Sequence, residues 1–378
     1  MKNPLKIAFI VPYRFVPPRN GGHQAAYGLA AFAAKASDFF VLSTDANPLE
    51  GEQPFALYRH LPEGKRKYFS PAVARRVGQF LRKREIDVCL LHQPFIGLLL
   101  GPVLRKLKIP MQVWVQNLEY ERFRSMGKWY WPIVKRVEGR VYRRADKLFF
   151  ISPDEIAPAI EAFQLEPGRC MELPYGCYPE QSPPPERAAA ARKAVLERHG
   201  FSEEEKLLLF FGPQTYRPNL EAVEHILLRI NPFLKERAEF PYRILICGGG
   251  LPDAFRQMEA FSEAHIAYLG YVEDIEEYVL ASDLVLNPIV SGGGVKTKLI
   301  EALALGKSVV SYHRGALGVH RELCGKKLGV VPDHAHELFC EKLFELLPEA
   351  GLPVPGAFYE HYQWAKVAQR FIRAQSPE

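Results

Sequence analysis

The chain is patterned as short apolar runs separated by longer stretches with helical periodicity. Ile7–Val11, Phe39–Ser43, Val88–His92, Gln112–Gln116 and Lys147–Ile151 have the length and composition of strands. Helical patterns lie between most of them, beginning with the Ala-rich segment Gln24–Lys35. This alternation predicts a parallel sheet with helices on both faces. The pattern breaks at Glu180–Pro185 (EQSPPP), where proline stiffens the chain and blocks pairing, and a charged helix follows to about Gly200. It then restarts: Lys206–Phe211, Arg243–Cys247, Ala267–Tyr271, Leu284–Pro288 and Lys307–Tyr312 read as strands separated by helices. The chain is therefore expected to form two successive α/β domains. The expected boundaries are 1–178 for the first, 179–200 for a linker and first helix, 201–355 for the second, and 356–378 for a closing segment.

A length of 378 residues suits two domains, and 48% hydrophobic with 24% charged residues excludes dominant disorder. The six cysteines show neither C-x-x-C pairs nor zinc-ligand spacing, so they read as scattered cytosolic thiols. The apolar run at Ile7–Val11 lacks a cleavage site, and Phe95–Leu104 is far short of the roughly 20 residues that span a bilayer. These features predict a cytoplasmic protein, soluble or peripheral at the inner membrane face.

The most informative local segment is LVLNPIVSGGGVKTKLIEALALG, residues 284–306. A buried strand runs into Gly292, Gly293 and Gly294, then into a helix expected from about Val295 to Leu305. Glycines let the backbone approach a ligand, and a helix N-terminus offers unpaired N–H groups to phosphate. Lys296 and Lys298 would oppose the helix dipole unless an anion neutralises them. Gly294, Lys298 and Glu301, spaced by four and three residues, are expected on one face. Phosphates at the helix start with a carboxylate one turn deeper fit a nucleoside diphosphate and its ribose. A Walker A reading fails on spacing, because Val295 precedes Lys296.

With these residues in view, the segment resembles the donor-site motif of the retaining group 1, family 4-like, glycosyltransferases of the GT-B fold. FFGPQTYRPNLEAV (210–223), ILICGGG (244–250), YLGYVEDIEEYVLASDLVLNP (268–288), SVVSYHRGALGV (308–319) and QWAKVAQRF (363–371) agree in the same order. The resemblance implies two Rossmann-like doubly wound domains facing a cleft, a nucleotide-sugar donor and retention of configuration. Carried over by position, Glu301 binds the donor ribose, Lys296 and Lys298 lie near the diphosphate, and Gly270, Tyr271 and Val272 contact the base. Gly293 stands where many members have a glutamate near the transferred sugar, and only Arg217 is basic in the turn after the first strand of the donor domain.

In the N-terminal half, Gly21 and Gly22 precede the Ala-rich helix, bordered by Arg14, Arg19 and His23. The resemblance lays this loop against the donor phosphates. It makes Tyr13, His23, His92, Gln116, Asn117 and Glu119 acceptor-side residues. Gln116 replaces a histidine common in the family and cannot shuttle a proton at neutral pH, so no side-chain general base is assigned. The chemistry expected is charge stabilisation on a departing diphosphate. No carboxylate cluster has ligand-like spacing, so neither a metal nor another cofactor is expected.

Charge adds a partner. Residues 121–147 carry nine Lys/Arg against three Asp/Glu, which equals the whole net charge of +6. From Pro132, Val134, Val137, Val141, Ala145 and Leu148 fall at helical spacing opposite Lys135, Arg136, Arg140, Arg143, Arg144 and Lys147, with Trp129, Tyr130 and Trp131 just before. Basic residues beside aromatics suit an acidic membrane surface and a glycan or lipid-linked acceptor. No nucleic-acid module accompanies the charge, so nucleic acid is not an expected partner. Three alternatives are weighed against this reading. A sugar-nucleotide epimerase shares the fold. A non-catalytic nucleotide-sugar binding protein is compatible with Gly293 and Gln116. A dinucleotide-dependent dehydrogenase is disfavoured, because Ile244–Gly250 lacks G-x-G-x-x-G spacing.

Overall fold

The computed structural model describes residues 4–48, 53–256 and 265–375, so the last three residues of the closing segment lie outside it. The chain divides into two compact units. One is Met1–Gly176 with Gly293–Val295 and His361–Glu378; the other is Cys177–Gly292 with Lys296–Glu360.

The first unit contains β1 (Lys6–Val11), β2 (Asp38–Thr44), β3 (Ala56–Leu61), β4 (Val88–Leu91), β5 (Met111–Val115), β6 (Lys147–Phe150) and β7 (Cys170–Glu172). They form one parallel sheet in the order β3-β2-β1-β4-β5-β6-β7. Ile7 through Val11 are fully buried, as a central strand covered by helices on both faces must be. The Trp364–Arg373 helix closes this unit against the Gly21–Ala33 helix. Its Trp364 is fully buried and lies so close to Gly28 that a Cβ there would sit 2.2 Å from the indole. Phe371 meets Phe39 and Phe149 edge-on.

The second unit contains β8 (Lys206–Phe211), β9 (Tyr242–Cys247), β10 (Ile266–Gly270), β11 (Leu284–Asn287), β12 (Ser308–Tyr312) and β13 (Leu328–Val331), paired in parallel as β10-β9-β8-β11-β12-β13. In each sheet the chain works outward from its first strand, returns past it and continues on the other side. This is the doubly wound Rossmann order. The Pro185–His199 helix precedes β8.

Several expectations need correction. The helix after the triglycine bend spans Thr297–Ala304, so Gly294 and Lys296 precede it and only Lys298 and Glu301 share its face. The basic segment is helical over Trp131–Tyr142 only; Ala145 lies past its end and Leu148 belongs to β6. Lys147 does not join a solvated basic face, because its ammonium binds the carbonyl of Ala374. Strands β3, β7 and β13 were not anticipated from the sequence.

Candidate functional site

In a doubly wound sheet, ligands bind beyond the carboxyl ends of the strands, where the strand order reverses. That point falls between β1 and β4 in the first unit and between β8 and β11 in the second.

In the second unit, β8 ends at Phe211 and the chain turns through Gly212–Tyr216 into the Arg217–His225 helix. The neighbouring strand ends are laced to this turn. Gly212 N–H donates to Cys247 O at 2.9 Å, Gln214 N–H to Gly249 O at 2.9 Å, and Gly248 N–H to Gly270 O at 2.6 Å. The lacing demands glycine. Gly248 has φ +136°, and a Cβ there would lie 2.1 Å from Gly212 O. On the other side of the switch, Gly292 has φ +83°, and a Cβ would meet the Tyr216 hydroxyl at 2.6 Å.

Lys298 joins the two sides of this point. Its ammonium donates to Phe211 O at 2.6 Å and Asn219 Oδ1 at 2.9 Å, and sits 4.4 Å from the Phe210 ring centroid. Burial, with Lys296 beside it, pushes Lys298 down to about 7, against the pull of Glu301. Lys296 is buried and donates to Gly292 O at 3.2 Å. Carbonyl oxygens thus answer part of the dipole opposition that the sequence raised. Glu301 is half-buried one turn further along the Thr297–Ala304 helix. Gly270 ends β10 with φ +65°, Val272 is half-buried and Tyr271 is 81% exposed. Arg217 is exposed and paired with Glu221 at 2.7 Å, and Glu221 also accepts from Ser291. Gly293 and Gly294, which group with the first unit, are exposed and half-buried respectively, Gly294 with φ +70°.

In the first unit the switch point is filled by side chains. Tyr13, after β1, shares a 2.9 Å hydrogen bond with Nδ1 of His92, after β4, and stacks on His23 with ring centroids 5.6 Å apart. Tyr13 also reaches Gly22 O at 3.4 Å, and His23 N–H donates to Asn20, which caps the Gly21–Ala33 helix. The structure thereby brings Tyr13, Gly22, His23 and His92 together, with Gly21 opening the same helix. His92 is 2% exposed, packed against Phe9 and Trp114, and its Nε2 has no partner among the described residues. Burial, reinforced by His23, pushes its pKa down to about 3, so the imidazole is neutral at physiological pH. Burial raises the Tyr13 phenol, while burial with Arg19 and Arg14 lowers His23. Arg14 donates to Val16 O at 3.4 Å.

Beyond β5, Gln116 and Asn117 are half-buried, and Glu119 is held by Arg122. Glu138 escaped the sequence reading. It is fully buried and accepts the backbone N–H groups of Glu119 and Tyr120. Its place within the apolar stripe of Val134 and Val141 was the available signal.

Two doubly wound units, one with a glycine-lined switch point and one with an aromatic–histidine one, define the GT-B class of fold. Solved structures agree. The Anabaena Alr3699/HepE protein, determined in complex with UDP and glucose, matches 99% of this chain and 100% of its own at 14% identity and TM-score 0.72. A Rickettsia africae glycosyltransferase matches 98% of both chains at 13% identity and TM-score 0.70. The sequence family described as "Glycosyl transferases group 1" matches residues 205–349, and "Glycosyl transferase 4-like domain" matches residues 20–176. The chain belongs to the group 1, family 4-like, glycosyltransferases, and is an enzyme that transfers sugars. A phosphatidyl-myo-inositol mannosyltransferase of Mycobacterium tuberculosis is 24% identical over 98% of this chain and 96% of its own. No helix among the described residues is long and apolar enough to cross a membrane.

Proposed function

We propose that the enzyme moves a sugar from a nucleotide-sugar donor, with retention, onto a lipid-linked or glycan acceptor, in synthesis of a cell-surface glycolipid or polysaccharide. The observation that carries this reading is the switch point of the second unit. There, backbone turns too tight for any Cβ meet the start of a helix, with Lys296 and Lys298 at its entrance. Such a place accepts a diphosphate through backbone N–H groups and ammoniums. In this reading Glu301 takes the ribose hydroxyls, Gly270–Val272 the base, and the diphosphate leaves as an anion neutralised by lysine without a metal. Arg217, Gly292, Gly293 and Gly294 border the donor; Tyr13, His23, His92, Gln116, Asn117 and Glu119 face the acceptor side.

A surface of the first unit supports a membrane-borne acceptor at the cytoplasmic face. Trp129 is 82% exposed and Ile133 59%, among exposed Arg124, Lys128, Arg136 and Arg140. Exposed apolar anchors within a basic field suit anionic lipid. The relative named for phosphatidyl-myo-inositol points the same way.

The test is a thermal-shift panel of UDP, GDP, ADP and TDP and their sugar derivatives, run with and without EDTA. At least one nucleotide should raise the melting temperature, equally in both buffers. Glu301→Ala should abolish that shift and leave the unliganded melting temperature in place. A retained shift in the variant removes the ribose assignment, and silence across the panel removes the donor reading.

A further inference from the structure

Four carboxylates gather at the turn that follows β5. Glu119 and Glu121 belong to the turn and its short helix, while Glu138 and Glu155 reach it from elements packed behind. Glu138 stands in the middle of the Trp131–Tyr142 helix with no exposed surface. Its Oε1 accepts Glu119 N–H at 2.8 Å, and its Oε2 accepts Tyr120 N–H at 2.9 Å. Tyr142, one turn along the same helix, adds its hydroxyl to Oε1 at 3.1 Å. Glu155 accepts Leu118 N–H at 3.3 Å. Glu119 has Arg122, whereas Glu138 and Glu155 make no ion pair among the described residues.

A carboxylate stripped of water and given only neutral donors is costly, and an apolar side chain would fill the same core position without that cost. What the carboxylate supplies, and no apolar group does, is a pair of oxygens spanning two consecutive backbone amides. Those amides, of Glu119 and Tyr120, lie two and three residues after Asn117. We infer that Glu138 is the positioning residue of this turn, fixing the backbone of Leu118–Tyr120 and so the place where Gln116 and Asn117 leave β5. Glu138 touches no substrate; it acts through the turn. The inference rests on the reading that this turn faces the acceptor side.

The full-length protein carries the test. Glu138→Gln keeps the shape but must turn an amide NH2 toward one of the two backbone N–H groups. Hydrogen exchange of the 119 and 120 amides should then speed up by about tenfold or more. Nucleotide release from UDP-glucose or GDP-mannose, with phosphatidylinositol vesicles present, should lose about 10–100-fold in kcat, as displacements of about 1 Å do. The UDP-induced thermal shift, a property of the second unit, should stay as in the wild type. Should Glu138→Gln fail to fold, Tyr142→Phe withdraws one donor from the same carboxylate and should move both readouts in the same direction by less. Unchanged exchange at 119 and 120 in the folded variant overturns the inference. Asn117→Ala separates the two levels. If it leaves nucleotide release unaltered, the acceptor-side reading fails. If it slows release while Glu138→Gln does not, positioning by Glu138 fails.

Discussion

The two units share a strand order and differ in what they place where that order reverses. In the second, the ends of β8, β9 and β10 approach so closely that Gly248 leaves no room for a methyl group, and the surface offered is largely backbone. In the first, Tyr13, His23 and His92 fill the equivalent position with rings. A backbone-lined point suits what every donor shares, a diphosphate on a nucleoside. A side-chain-lined point suits what differs from one acceptor to the next. Under the proposed function, one topology would serve a generic partner in the second unit and a particular partner in the first.

The largest effect expected from this contrast is at Lys298. Lys298→Met should cost about 10²–10³-fold in kcat, the scale for removing one donor from a developing anion. Lys298 should also be the titrating group. With its pKa lowered to about 7, it should lose its proton as pH rises through that value, so affinity for whichever nucleotide raises the melting temperature should weaken from pH 6 to 8.5. Calorimetry should show this slope in the wild type and a flat profile in the variant. A slope that survives Lys298→Met assigns the titration elsewhere. Next comes Gly248→Ala, which should lower the stability of the second unit by roughly 1–3 kcal/mol or more, because its backbone is strained for any side chain and Gly212 O stands in the way. Hydrogen exchange should localise the loss to residues 206–290 and spare β1 and β4; a uniform loss would erase the contrast between the units. The smallest effect belongs to Tyr13→Phe, which deletes the hydroxyl's hydrogen bonds to His92 and to Gly22 O, a net of about 1 kcal/mol each. It should raise the acceptor KM up to about tenfold with the nucleotide shift unchanged. A change in nucleotide binding instead would place the tyrosine on the donor side.

How much of this could be read from the sequence follows from burial. β1, β4, β5, β8, β9, β11 and β12 are interior strands, largely buried on both faces, and announce themselves as mostly apolar runs. The three strands that went unread are all sheet edges. β3 (ALYRHL) is half-buried along most of its length, β7 has three residues, and β13 contains a glycine. The glycine-lysine bend was legible because glycines and lysines at a helix entrance conflict with helix preference on their own. Its exact register was not, because helix ends depend on capping, and Lys296 turned out to be the cap. Glu138 was hidden in a segment dominated by arginine and lysine. Net charge describes the exposed face of a helix and says nothing of the one carboxylate facing inward.

The Trp364 indole resting on Gly28 has a consequence for how this protein is made. The groove that it fills belongs to the first unit, yet the tryptophan is translated only after the whole of the second unit has been synthesised. Until then the helix at Gly21–Ala33 carries an open apolar slot. The first unit therefore cannot complete this packing until nearly the whole chain has been made.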